Sequence, residues 1–185
     1  MNKTVLSLLL IIVALGLSAC TTSLLVTENP QLEKNRSAPH AIVYFIRPMP
    51  IRSRGVADND LKVELNEKPL LTLTRGEYAM ARIKPQPTDV VLRNMTFITT
   101  KPMPVEVWRA RRFSFEAGKT YFIKADFKQE EFRGIYFVPE LIDEVEAKSL
   151  AKKMRAAGQL AKAHPITQPD PMFTQEYDLD PSVLD

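Results

Sequence analysis

Ala41-Ile42-Val43-Tyr44-Phe45-Ile46-Arg47 is the stretch whose reading decides the fold. Its residues are β-branched or aromatic, which suits a pleated strand. Both parities are apolar, so neither face of the strand can be left in water. Such a run belongs at the centre of a sheet that is covered on both sides. Pro48 and Pro50 end it, because proline donates nothing to a sheet ladder.

Working outward, the chain keeps the same idiom. Leu61-Lys62-Val63-Glu64-Leu65 alternates, with Leu61, Val63 and Leu65 inward and Glu64 on the exposed face. Asn66-Glu67-Lys68 is a turn, with Glu67 also exposed, and Pro69–Thr74 returns as its hairpin partner. Arg75-Gly76 makes a second tight turn, and Glu77–Ile83 is the next strand, with Ala79, Ala81 and Ile83 on one face. Pro85 and Pro87 interrupt. Asp89–Asn94 and Thr96–Thr100 are both β-favouring, and 101–104 is another break. Val105–Phe115 reads as one long bent strand or two short ones, with Arg109 and Arg111 on one parity and Trp108 on the other. Glu116–Lys119 is a turn. Thr120–Phe127 has Tyr121, Ile123, Ala125 and Phe127 on one face, and Phe132–Val138 closes the sheet region.

The pattern changes at Pro139. Leu141, Val145, Leu150 and Met154 recur at helical spacing. Glu144 sits four residues before Lys148, and acids precede bases as the helix dipole favours. A single C-terminal helix is predicted over 139–158, ended by Gly158. Beyond it, Pro165, Pro169, Pro171 and Pro181 predict an extended, disordered tail. The fold class is therefore mainly β: an antiparallel β-sandwich of about seven to nine strands, with one helix covering an edge or a face.

Four strings carry a resemblance. They are Ala41–Pro48, Leu61–Lys68, Leu73-Thr74-Arg75-Gly76-Glu77-Tyr78 and Phe115–Lys124. In order and spacing they resemble the bacterial lipoprotein family known as DUF2846, a domain of unknown function similar to PEGA-type β-sandwiches. The likeness covers about residues 40–140 and implies a small surface-exposed β-sandwich. It implies no catalytic residue. The chain departs from it in the stretch 85–104, the helix and the acidic tail.

The N-terminus supplies a location. Lys3 is followed by an aliphatic run from Val5 to Leu17, then Ser18, Ala19 and Cys20, the one cysteine of the 185 residues. A charged start, an apolar core and small exit residues make a secretory signal. Leu17-Ser18-Ala19-Cys20 looks like a lipobox, so 1–19 is expected to be removed and Cys20 acylated. Each buried methylene contributes roughly 0.8 kcal/mol, so three fatty-acyl (palmitate-type) chains would hold the protein on the bilayer. An uncleaved anchor is the alternative, since no charge interrupts Thr4–Thr27. Thr21 stands where Asp would favour inner-membrane retention. The expected location is thus the periplasmic face of the outer membrane, with the inner membrane possible. Residues 20–39 form a tether with a span of about 25 Å, leaving 40–138 as the β domain.

Charge and chemistry narrow the function classes. Residues 21–158 hold 23 Lys/Arg against 17 Asp/Glu, net +6, whereas 159–185 hold one Lys against five acids, net −4. An exported basic body does not call for nucleic acid; anionic headgroups or cell-wall polymers suit it better. Acylation of Cys20 removes thiol chemistry. His40 and His164 stand in no metal-ligand spacing and read as exposed loop residues. Asp58-Asn59-Asp60 lacks the glycine and distal glutamate of an EF-hand and reads as Asx turns. Gly118-Lys119-Thr120 is a turn, not a phosphate loop, and no cofactor is expected. The stronger constellation is basic: Arg52 and Arg54 in one loop, and Arg109, Arg111 and Arg112 around Trp108. Arginine beside an exposed aromatic suits an anion or a sugar face, while a solvated strand with a core Trp is the plainer reading. Phe173–Asp180 is either a docking motif for an envelope partner or a tail packed on its own domain. The leading expectation is a non-catalytic envelope lipoprotein, structural or interacting. The alternative is a binding module for an anionic or cell-wall ligand.

Overall fold

A computed structural model describes residues 29–49, 60–98 and 100–166. The signal segment, Cys20, Arg52, Arg54, Asp58-Asn59 and the motif Phe173–Asp180 lie outside the described residues. The architecture is a β-sandwich with a small helical part. The strands are β1 (Ala41–Arg47), β2 (Leu61–Leu65), β3 (Lys68–Leu73), β4 (Glu77–Ile83), β5 (Pro87–Thr96), β6 (Val105–Ser114), β7 (Thr120–Glu130) and β8 (Gly134–Ile142). They are followed by α1 (Glu144–Ala151), β9 (Arg155–Ala157) and α2 (Gly158–Ala163). Sheet A has the order β8-β7-β1-β4-β9 and sheet B the order β3-β2-β5-β6.

β1 sits in the middle of sheet A, and every one of its residues is buried. Val43 and Phe45 point between the sheets, where they meet Leu61, Val63, Leu65, Leu73, Val90, Leu92, Ile123 and Phe137. Ile42, Tyr44 and Ile46 point the other way, into a second core with Tyr78, Met80, Phe122, Ala147, Ala151, Ala161 and Ile166. Fully burying a side chain of this size is worth about 1.5–3 kcal/mol, so β1 draws stabilisation from two cores at once. The molecule accordingly has three layers: sheet B, sheet A, and the C-terminal segment laid over the outer face of sheet A.

Three expectations are corrected here. Pairing in sheet B is antiparallel throughout, but sheet A is mixed, because β1–β7 and β4–β9 are parallel. The predicted helix over 139–158 is not continuous. Pro139 to Ile142 extend β8, where Pro139 faces Ala125 of β7. A proline is tolerated there because β8 is an edge strand and one missing N–H can face outward. The first helix starts only at Glu144, with the Asp143 carboxylate accepting from the Glu146 N–H at 2.7 Å. It docks through Ala147 and Ala151, whereas Leu141 and Val145, expected on its buried face, are 49% and 78% exposed. Gly158 does not end that helix; it opens α2, so part of the predicted tail is helical as far as Ala163.

The strand limits are otherwise close to those expected, except that β5 is one strand from Pro87 to Thr96; of the two readings of Val105–Phe115, the single long strand is the one found. The β2–β3 turn is closed by Asn66 and Glu67, both at positive φ, which matches a two-residue hairpin turn. The histidine expectation is also corrected. His40 is buried beneath the turn before β7: its carbonyl accepts from the Gly118 N–H at 2.9 Å, and its Nδ1 lies 2.7 Å from the Ala38 carbonyl. His164 is half-buried, its carbonyl accepting from the Tyr44 hydroxyl at 2.9 Å.

β8 starts against the end of β5, and the contact is tight. The Asn94 amide donates to the Ile135 carbonyl at 2.9 Å, and the Ile135 N–H donates to Thr96 Oγ1 at 2.8 Å. Gly134 lies at φ 67°, and a Cβ there would stand 2.6 Å from both the Phe97 carbonyl oxygen and Thr96 Oγ1. Left-handed backbone alone costs a non-glycine residue about 1–2 kcal/mol. Gly134→Ala should therefore lower stability by more than that, read as an earlier midpoint in urea unfolding; an unchanged midpoint would contradict the close approach.

Candidate functional site

Among the described residues, no layer of the sandwich covers the outer face of sheet B. Its register places Lys62 opposite Arg93, and Arg93 opposite Trp108. Asp89 is opposite Arg112, and Met95 is opposite Glu106. These residues share a parity, so their side chains stand on one face. Arg93 is the hub. Its Nε and Nη2 donate to the two carboxylate oxygens of Glu64 at 2.9 and 3.1 Å, and its Nη1 donates to Glu106 Oε2 at 3.1 Å. Lys62 Nζ is 3.7 Å from Glu106 Oε1, which completes a ladder over three strands. The bidentate pair of hydrogen bonds that Arg93 donates to Glu64 pushes the guanidinium above its already high ordinary value.

Glu64 thus corrects the expectation of a solvated hairpin acid. It lies on the outer face but is 7% exposed, held under the Arg93 guanidinium. Trp108 is 54% exposed beside this ladder, so the plainer expectation of a core Trp fails. Met95, on the same face, is 39% exposed, and Phe97 beyond it is 59% exposed. Arg112 holds Asp89 in a bidentate pair at 2.9 and 3.0 Å. The result is a wide aromatic on a charge-paired, rigid floor.

The basic constellation is not gathered in one place. Arg112 shares the outer face with Trp108. Arg109 and Arg111 have the opposite parity: Arg109 stacks over the Tyr136 ring at 4.2 Å, and Arg111 lies 5.7 Å from the Phe113 ring centre. Three arginines in four residues looked like one cluster; the strand period of two sends them to two sides.

A cleft opens at the opposite edge of the sandwich. It measures about 390 Å3 between β3 and the β4–β9 pair and is lined by Asp60, Thr72, Glu77, Arg155 and Lys162 among others. Glu77 dominates it. Arg155 Nη2 and Nε donate to Glu77 Oε1 at 2.6 and 3.1 Å, and the Thr74 N–H donates to Oε2 at 2.9 Å. Burial pushes the Glu77 carboxyl up, but the Arg155 and Thr74 hydrogen bonds outweigh it and hold the group below its ordinary value. The pair also fastens β9, and with it the C-terminal layer, to β4. Among the described residues no three His, Cys, Asp or Glu converge as metal ligands. Nor is any described helix long and apolar enough to cross a membrane.

No family model, no curated protein and no solved structure matches this chain.

Two outcomes follow from these charges. Arg93→Leu leaves the Glu64 carboxylate under apolar cover and should cost about 1–3 kcal/mol by urea unfolding; Glu64→Gln in the same background should restore most of it. A lowered carboxyl pKa contributes stability above the unfolded value and loses it as pH falls through the folded one. The protection of the Arg155–Ala157 amides, measured against the intrinsic exchange rate at each pH, should therefore fall on acidification, and Glu77→Gln should lower it at neutral pH and flatten the dependence.

Proposed function

We propose that this chain is a lipid-anchored protein of the bacterial envelope whose β-sandwich is a non-catalytic interaction module. Cys20 holds it on the periplasmic face of a membrane, the outer one in this reading, and the outer face of sheet B around Trp108 meets a protein partner. The Leu17–Cys20 string supports the anchoring, and the four strings resembling DUF2846 support the envelope class. The observation that carries the interaction role is Trp108. A tryptophan left more than half in water on a strand interior forgoes hydrophobic stabilisation that a partner's surface would supply. Aromatic residues on pre-ordered floors are the usual anchors of protein interfaces. The ion ladder beneath it is already formed, so little ordering entropy remains to be lost on contact.

An anionic or cell-wall ligand held jointly by Trp108, Arg109, Arg111 and Arg112 has less support. Two of those arginines lie on the other side of the strand, engaged with aromatic rings, and Arg112 is already paired with Asp89.

Cys20→Ser should abolish fatty-acid labelling and leave unprocessed precursor; persistent labelling would overturn the anchoring. A photo-crosslinking residue at 108 in the full chain should give an adduct on irradiation in cells, and the same residue at exposed Lys152 should not. Monomer alone at both positions would sink the interaction role.

A further inference from the structure

We propose that the partner at this face is a second copy of the same chain, joined edge to edge along β6 in an antiparallel pair across a two-fold axis at Arg109. The inference rests on the reading of Trp108 as an interface residue and names the partner: the second copy pairs beside Trp108 at the strand edge and does not lie over the face.

β6 is the last strand of sheet B, ten residues long, with no strand beyond it among the described residues. The Phe115 N–H donates to the Gln86 carbonyl, continuing the β5–β6 ladder. Odd residues of β6 therefore aim their backbone groups at β5, and even residues aim theirs outward. A second sign agrees: the Trp108 carbonyl accepts from its neighbour's Arg109 Nη1 at 2.8 Å, a side chain standing in for a missing strand. An unprotected edge of this length is a template for another chain.

Charge on the edge would ordinarily guard against that, but here its arrangement is self-complementary. The residues whose backbone points outward are Glu106, Trp108, Ala110 and Arg112. A two-fold at Arg109, normal to the sheet, sets Glu106 against Arg112 of the other copy, twice over; each already has partners in its own chain, Glu106 in Arg93 and Lys62 and Arg112 in Asp89, so the contact would join existing ion pairs into one network. It also sets Trp108 against Ala110, a large side chain beside a small one. Moving the axis to Trp108 stacks the two tryptophans and leaves Glu106 facing Ala110. Moving it to Ala110 puts Trp108 against Arg112 and Glu106 against Ser114. Arg109 meets itself, yet its guanidinium is drawn over Tyr136 of its own chain. Opposite charges directly across a ladder stabilise it, and each such pair repeats by symmetry. The paired sheets would form one eight-stranded surface with both Trp108 side chains near its centre. Because the axis is normal to the sheet, Asn29 of each copy, fastened to the Lys68 carbonyl, lies at one height along it. Residues 29–39, expected as part of the tether, are instead packed on β4, with Leu32 bridging Ile83 and the Glu33 N–H donating to the Arg82 carbonyl, so both copies lead toward Cys20 from the same height.

In that register residue 109 forms a non-hydrogen-bonded pair with itself, where Cα atoms approach to about 4.5 Å, inside disulfide range. The full chain bearing Arg109→Cys, oxidised mildly in membranes, should run as a covalent dimer, and Glu67→Cys should not. Since Arg109→Cys also removes the stacking on Tyr136, a photo-crosslinking residue at Ala110 gives a second readout. Its adduct should map to the Trp108 peptide of another copy. Glu106→Gln and Arg112→Gln should each raise the dimer dissociation constant in detergent about tenfold, and the double variant should lose no more than either alone, as for two groups of one contact; additive losses would overturn the pairing. An adduct at 108 to a different protein, with no dimer through 109 or 110, would overturn the second copy while keeping the interaction face. No adduct at 108 and no dimer would overturn both.

Discussion

Two-sided burial of β1 is the constraint on which the rest depends. A strand with Val43 and Phe45 on one face and Ile42, Tyr44 and Ile46 on the other requires a cover on each side. Sheet B is one cover. The other is the C-terminal segment, which is why two short helices and a three-residue strand follow the sandwich rather than a free tail. Ala147, Ala151 and Ala161 let that segment sit close, and the Glu77–Arg155 pair and the Tyr44–His164 hydrogen bond fix where it sits. Loss of this layer would expose the Tyr44–Phe122 stack, whose ring centres are 5.4 Å apart.

Sheet B has the converse problem. Its inner face is buried, but its outer face carries ions, and no third layer lies on it among the described residues. Arg93 reconciles the two demands by covering Glu64 with its planar guanidinium while reaching Glu106 across the strand. Such a bidentate pair is more directional than a lysine contact, so the face is rigid before anything binds. Trp108 and Met95 interrupt the ionic pattern. The exposed edge of β6 lies directly beside them, and backbone valence, aromatic surface and paired charges occur on one strand.

Much of the fold was legible because it rests on local rules. The strand over 41–47 was visible from its composition, and the hairpin from Asn66-Glu67 between alternating runs. Misreadings arose wherever a neighbour distant in sequence changed the meaning of a residue. Pro139 resembled a helix start, but β7 holds it in an edge strand. Val145 resembled a core residue, while the alanines two and six positions on make the contact. Glu64 resembled a solvated acid until Arg93, 29 residues away, was placed over it. The site shows the same division: Trp108 and its arginines were visible as residue types, but their distribution over two faces required the β5 register.

By itself the sequence determined that this is a β-sandwich protein built about one doubly apolar strand, because period-two alternation and turn residues are properties of short stretches. It also determined which residue types stand beside Trp108. Only the tertiary structure decided that sheet A would mix parallel and antiparallel pairs, that the C-terminal segment would become its third layer, and that β6 would be left at an edge. Strand order and the partners of buried charges follow from packing between segments far apart in the chain, and no local pattern encodes them.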